Sequence, residues 1–307
     1  MFQKIINILY RNPKSLFKTW DHFGGRSEYN RMLNAEREMI KASRKLVIKK
    51  SLTDLTTLNV SFLTGTKYWH QTIYCAYSLQ KNCSHPIYFT FYDDGTLTER
   101  AIQDYKKQIP NSEFVSISQI EQQIQNILPI EKYPYLNHKR KVYKHIRKLV
   151  DIHSWNKGWQ LVLDSDMLFW NEPTALISWL KNPTKPFYIL DVQNSYGFPK
   201  EAMESLVDKN IADRINVGII GLDSHSIDFE KIEIWAKKLE DDFGNSYYLE
   251  QALSAMIINT ETSSIGSEGD YIVYPTEQQV DNQEGILHHY VDISKKWYFT
   301  KAWKYIK

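Results

Sequence analysis

The sequence predicts an α/β fold, a mixed and mainly parallel sheet flanked by helices. Three observations point there. Two successive strand–loop–helix units open the main part of the chain, and only such crossovers let neighbouring strands run parallel. A later apolar strand, Leu161-Val162-Leu163, runs directly into two carboxylates. At 307 residues, with 42% hydrophobic and 24% charged residues, the chain can bury one large core.

The elements follow in order. Residues 1–55 are predicted as a helical N-terminal extension. Phe2, Ile5, Ile6 and Leu9 fall at helical spacing, Asn12-Pro13 is predicted to close that helix, and a second helix covers about 28–45. Lys4, Arg11, Lys14 and Lys18 all precede the first acidic residue, Asp21. An apolar stripe beside cations has two readings, a helix lying on an anionic membrane surface or a helix packed on the main domain. The main domain, 56–294, opens with a strand at 60–63, the loop Thr64-Gly65 and a helix at 74–79. A second unit has a strand at 86–92, the turn Asp93-Asp94-Gly95, and Thr98 capping a helix toward Lys107. A helix at 138–153, strands at 159–163, 187–190 and 216–222, and helices near 230–240 and 248–258 complete it. The tail, 295–307, carries Trp297, Tyr298, Phe299, Trp303 and Tyr305 among five lysines, with no acidic residue after Asp292. It has the same two readings, a membrane-interface segment or a tail folded back on the core.

Composition narrows the function classes. A net charge of +2 creates no field that would recruit nucleic acid, which is not expected as a partner. Cys75 and Cys83 are the only cysteines, too few for a disulfide framework, and they fit a reducing cytoplasm. No stretch has the roughly 18 apolar residues of a membrane span, and no signal peptide is expected at the N-terminus. A cytoplasmic protein, peripheral on the inner face of a membrane if the tails bind one, is the expected location.

The residues that carry chemistry centre on Asp164-Ser165-Asp166. In an extended chain, residues i and i+2 face the same way, so both carboxylates can converge on one point. Their mutual repulsion calls for a divalent cation, and the end of a strand is where open α/β sheets bind ligands. Haloacid dehalogenase phosphatases also end a strand in this triplet, but theirs is the opening strand; here about a hundred residues come first. Asp93-Asp94 is a second acidic pair at a strand end, read as turn chemistry because Gly95, Thr96 and Thr98 follow.

The chain resembles the family 8 glycosyltransferases of the GT-A fold, the group that contains glycogenin and the bacterial lipopolysaccharide galactosyltransferases. The resemblance rests on Asp164-x-Asp166 and on His289-Tyr290-Val291-Asp292-Ile293-Ser294-Lys295-Lys296-Trp297, which matches the family's His-aromatic-x-Gly-x-x-Lys-Pro-Trp except for Asp292 and Lys296. It implies a GT-A-like, Rossmann-type domain and a UDP-sugar donor, with retention of anomeric configuration. Asp164, Asp166 and His289 would hold the metal, with His288 as a rival ligand. Lys295 would contact the diphosphate, with Trp297 beside it on the substrate side. Nitrogen beside carboxylates favours Mn²⁺, with Mg²⁺ as the second choice. Thr64 and Tyr68 would meet the nucleotide, Tyr68 stacking on uracil. Lys148 would face phosphate, although a solvated basic face with Lys144 and Arg147 explains it too. Asp191, Asn216 and Gly218 would touch donor hydroxyls, and Glu250-Gln251, standing for the family's Asp-Gln, would lie beneath the anomeric carbon. The acceptor would be a hydroxyl on a carbohydrate, glycolipid or protein, attacking from the leaving-group side or through a covalent intermediate at Glu250. Two other functions fit less well. A sugar-nucleotide pyrophosphorylase needs a glycine-rich loop where Thr64-Gly65-Thr66-Lys67 has one glycine, and a silent sugar-binding scaffold has no need of intact Asp164, Asp166, His289 and Lys295.

Overall fold

The computed structural model describes residues 12–49, 54–258 and 262–306. The apolar stripe Phe2–Leu9 expected of the first helix lies outside them. In chain order the elements are α1 (Asn12–His22), α2 (Arg26–Ser43), β1 (Leu58–Thr64), α3 (Trp69–Lys81), β2 (Ile87–Asp93), α4 (Glu99–Gln108), β3 (Ser112–Val115) and α5 (Ile117–Ile127). There follow α6 (Pro134–Val142), α7 (Ile146–Trp155), β4 (Trp159–Leu163), β5 (Met167–Phe169), α8 (Thr174–Lys181), β6 (Phe187–Leu190), α9 (Lys200–Val207) and β7 (Ile215–Asp223). The last are α10 (Phe229–Phe243), α11 (Leu249–Ile257), β8 (Ser264–Ile265), β9 (Tyr271–Val273), α12 (Glu277–Asn282), β10 (Leu287–His289) and α13 (Lys295–Thr300).

Seven strands form one sheet in the order β3-β2-β1-β4-β7-β6-β8, all in one direction except β7. Both faces are covered, as the near-continuous apolar strands require. Val60, Phe62, Phe89, Phe91, Leu161 and Leu163 bury one face against α2, α3 and the C-terminal segment. Val162, Tyr188, Ile220 and Leu222 bury the other against α5, α7, α10 and α11.

Two irregularities build the site. Tyr188 pairs with Ile220 but Ile189 pairs with Asn216, so Val217, Gly218 and Ile219 bulge from the β6 side of β7. A second, three-stranded sheet, β5-β10-β9, sets His289 opposite Met167, the residue that follows Asp166.

Several elements differ from expectation. Asn12-Pro13 opens α1, in keeping with proline's tolerance for a first turn, and the helix that it was expected to close lies outside the described residues. The single helix expected over 138–153 is two, α6 and α7, because Tyr143 leaves helical geometry (φ −135°, ψ 89°). That break carries Lys144 and His145 to the cleft. Met32, Ala35 and Met39 of α2 are buried in the same core as the sheet, packed against α3 and α13. In the tail, Tyr298, Phe299 and Ala302 are buried, and Lys295, Lys296, Lys301 and Lys304 each pair with an acidic side chain of the protein. The tail is folded back on the core. Cys75 and Cys83 are buried free thiols. No helix among the described residues is long and apolar enough to cross a membrane.

Candidate active site

A cleft of about 790 Å³ opens beyond the ends of β1, β2 and β4. At its floor β4 stops at Leu163 and the chain bends through Ser165 and Asp166 before β5. The two carboxylates therefore meet across a bend rather than along an extended strand. Asp164 is held by its amide, which donates to Gly218 O at 2.8 Å, and Asp166 O accepts from Tyr290 N at 2.9 Å. Thr64, Thr72 and Ser165 link their hydroxyls at 2.6 and 2.8 Å, tying β1 and α3 to the middle of the triplet. Sequence reasoning missed Thr72, which lies in an otherwise ordinary helix.

Strand pairing brings in His289. Its Nε2 stands 3.3 Å from Asp166 Oδ1 and 3.9 Å from Asp164 Oδ2. His288, the rival, points the opposite way, as neighbours on a strand must; its nitrogens engage Glu284 O at 2.7 Å and Tyr290 Oη at 3.2 Å. Gly218 lies directly against the His289 ring: a Cβ at that position would fall 2.3 Å from Cε1 and 2.6 Å from Nδ1. Gly218 also lines the cleft, and it has a steric role that the sequence did not reveal, since only glycine leaves room for the imidazole. Asp292, in place of the family glycine, adopts φ 50°, a left-handed conformation that aspartate tolerates better than most side chains.

Two lysines flank the triplet with different freedom. Lys148 Nζ is buried and contacts Asp164 Oδ1 (2.8 Å), Val217 O (3.1 Å) and Glu250 Oε2 (3.6 Å). Two hydrogen bonds and an ion pair hold the ammonium among protein groups, so Lys148 is not a solvated basic face, although it lines the cleft. Burial works against its charge, yet Asp164 and Glu250 hold it above the ordinary lysine range. Lys295 Nζ lies 3.0 Å from Asp166 Oδ2 and remains about a third exposed, at 35%. Asp166 holds Lys295 above its usual value. Burial would raise the Asp166 carboxyl, but Lys295 and His289 keep it well below the carboxylate range.

Farther along the cleft, Gln251 Nε2 donates to Asp191 Oδ2 (3.2 Å) and to Ile215 O (2.8 Å), and Asn216 Oδ1 accepts from Gly218 N (2.8 Å). Burial pushes the Glu250 carboxyl up to about 7, against the pull of Lys148. At the other end stand Thr64, Tyr68, Asp94 and Lys144. Asp93 keeps the turn role expected of it, accepting from the amides of Gly95, Thr96 and Leu97. Asp94 keeps it too, accepting from the amide of Thr96 at 3.0 Å and from its hydroxyl, and it also lines the cleft beside Lys144, a placement that the turn chemistry of the sequence concealed. Trp297 is the predicted site residue that the cleft excludes: two residues past Lys295 on a helix is about 200° around, and its ring packs on the core under Lys296 and Lys301.

This geometry fits a divalent cation. One ligand atom each from Asp164, Asp166 and His289 lie within 4.8 Å of one another, the span of a single ion with metal–ligand bonds of about 2.0–2.4 Å. Six carboxylates line the cleft (Asp94, Asp164, Asp166, Asp191, Glu250 and Asp292) against three ammonium groups (Lys144, Lys148 and Lys295), a balance that repels an anionic ligand unless a cation intervenes.

No protein-family model and no curated protein matches the sequence. Solved structures do match. Mouse xyloside xylosyltransferase 1, in its apo form, superposes with a TM-score of 0.53 at 11% identity, covering 76% of this chain and 97% of the other. The galactosyltransferase LgtC, in complex with donor and acceptor sugar analogs, gives 0.53 at 12% identity over 81% and 96%. The apo bifunctional glycosyltransferase WbbM gives 0.52 at 9%, covering 85% of this chain and 52% of its own. The chain has the GT-A fold. Within a GT-A sheet the candidate metal centre occupies the end of a central strand, with β1 and β2 closing one side of the cleft and β7 the other.

Proposed function

We propose that this chain is a metal-dependent glycosyltransferase that moves a sugar from a UDP-sugar to a hydroxyl acceptor with retention of configuration. The observation that carries the reading is the convergence of Asp164, Asp166 and His289 at the end of β4, inside a cleft whose carboxylates outnumber its lysines. Mn²⁺ suits one imidazole and two carboxylates better than Mg²⁺, and when bound it would supply the positive charge that holds a diphosphate and eases its departure.

The protein's own groups have separable tasks. Lys295, paired at one end but partly exposed, reorients toward the leaving phosphate and offsets its developing charge. Lys148 fixes Asp164 and Glu250 relative to each other. Tyr68, 41% exposed at the nucleotide end, offers a face for the base, with Thr64 below it. Asp191, Gln251 and the free amide of Asn216 order the donor hydroxyls, and Glu250 lies next to them as nucleophile or as electrostatic support for attack from the leaving-group side. Holding both substrates in one cleft supplies much of the rate. An anionic membrane surface is a further proposed partner, through α1, where Leu16 and Phe17 are exposed, and the cytoplasm is the proposed location.

The test is release of UDP from a panel of UDP-sugars with and without Mn²⁺, comparing wild type with Asp166→Asn. Slow Mn²⁺-dependent release that the variant lacks is expected. Turnover indifferent to both metal and variant refutes the proposal.

A further inference from the structure

The segment from His289 to Trp297 differs from the family pattern at two positions, Asp292 and Lys296. The N-terminal extension engages both side chains. His22 Nε2, at the end of α1, lies 2.5 Å from Asp292 Oδ1, and Lys296 Nζ lies 2.7 Å from Glu28 Oε2 in the first turn of α2. Gly24 and Gly25, at φ 87° and 104°, turn the chain between the two helices, and a Cβ on Gly24 would fall 3.7 Å from Lys296 Nζ. The hairpin is itself anchored, because Met32, Ala35 and Met39 of α2 are buried where that helix packs on α3 and α13.

Lys295 lies between the two engaged positions. Its ammonium reaches the cleft, 3.0 Å from Asp166 Oδ2. Glycine at 292 would adopt φ 50° without strain, and proline at 296 would fix φ there. Aspartate and lysine have neither property, so two ion pairs to a packed helix stand in for restraint within the backbone. A half-exposed pair such as His22–Asp292 does little for stability alone. Two pairs on opposite sides of one residue, backed by the buried contact of α2 with α13, limit where that residue can go.

We propose that His22 and Glu28 are positioning residues for Lys295, so that the N-terminal extension completes the active site; the inference rests on the glycosyltransferase reading above. With the backbone held on both sides, the ammonium passes from Asp166 to the leaving phosphate by side-chain rotation alone. A misplacement of about 1 Å at such a group lowers the rate steeply.

The test measures UDP release from the best UDP-sugar with Mn²⁺, and calorimetric affinity for UDP with Mn²⁺, for the double variant His22→Ala with Glu28→Gln, made with Lys295 intact and with Lys295→Ala. With Lys295 intact, kcat is expected to fall about tenfold while the UDP-sugar KM moves less than about threefold. With Lys295→Ala, the same two changes are expected to alter kcat and UDP affinity less than about twofold, because they act through the lysine. Exchange of the second pair, Glu28→Lys with Lys296→Glu, is expected to keep most of the activity. An unchanged kcat in the double variant overturns the inference, as does an equal loss with and without Lys295, which would make the hairpin a support for the fold or Asp292 a direct repellent of diphosphate. Either result leaves the transferase reading intact, whereas wild-type protein that releases UDP from no donor overturns both.

Discussion

Gly218 and His153 show how single residues here answer to space and burial. At Gly218 the constraint is steric: its α-carbon lies beneath the His289 ring, with no room for a methyl group. Gly218→Ala is expected to displace the imidazole and weaken Mn²⁺ binding at least about tenfold, the size of a disturbed metal shell. Calorimetric titration with Mn²⁺ would show it, and an unchanged affinity would contradict the packing argument. His153 is buried beside Ser224, and burial alone depresses its pKa to about 3. The unfolded chain then binds a proton that the folded one refuses between roughly pH 6.5 and pH 3. Stability is therefore fully present above about pH 6.5 and is lost as pH falls, by about 1.4 kcal/mol per pH unit from this group. His153→Gln should flatten the dependence of unfolding free energy on pH between 6 and 4 by about one proton. The role of glycine as a spacer at position 218 could not be read from the sequence, where Asn216-Val217-Gly218 opens a predicted strand without indicating what presses on it.

Among the elements, the helices and strands with strong periodicity were legible, and short ones were not. β4 and β6 begin and end where the apolar runs do. β5, β9 and β10, three residues each, carry no recognisable pattern, yet they deliver His289 to the metal centre. α2 resembles a detached helix in sequence because its partners, α3 and α13, lie far along the chain. Met39 is fully buried in that contact. Met39→Ala is expected to cost about 2–5 kcal/mol, read by urea unfolding, whereas a detached helix would lose almost nothing. The exposed pair on α1 leads to a different expectation. Leu16→Ser with Phe17→Ser should reduce binding to anionic vesicles more than donor turnover, and equal vesicle binding by variant and wild type would remove the membrane from the account.

For the whole molecule the governing quantity is the charge of the cleft, six carboxylates against three lysines. UDP and Mn²⁺ should therefore bind with strong positive coupling, each raising the other's affinity at least about tenfold, and thermal unfolding should rise most when both are present. Independent binding would indicate that the nucleotide avoids the triplet. The sequence by itself determined the parallel core, the position of Asp164 and Asp166 after a buried strand, and the spacing from His289 to Lys295, because these are local patterns of apolarity and charge. The tertiary structure alone decided that His289 rather than His288 meets the aspartates, that Lys148 is buried among its partners while Lys295, paired with Asp166, stays partly exposed, and that Trp297 stands outside. Those outcomes depend on strand pairing and helix rotation, and the contacts of His289 with β5, of Lys295 with Asp166 and of Lys148 with Glu250 join segments more than a hundred residues apart, where local periodicity holds no information.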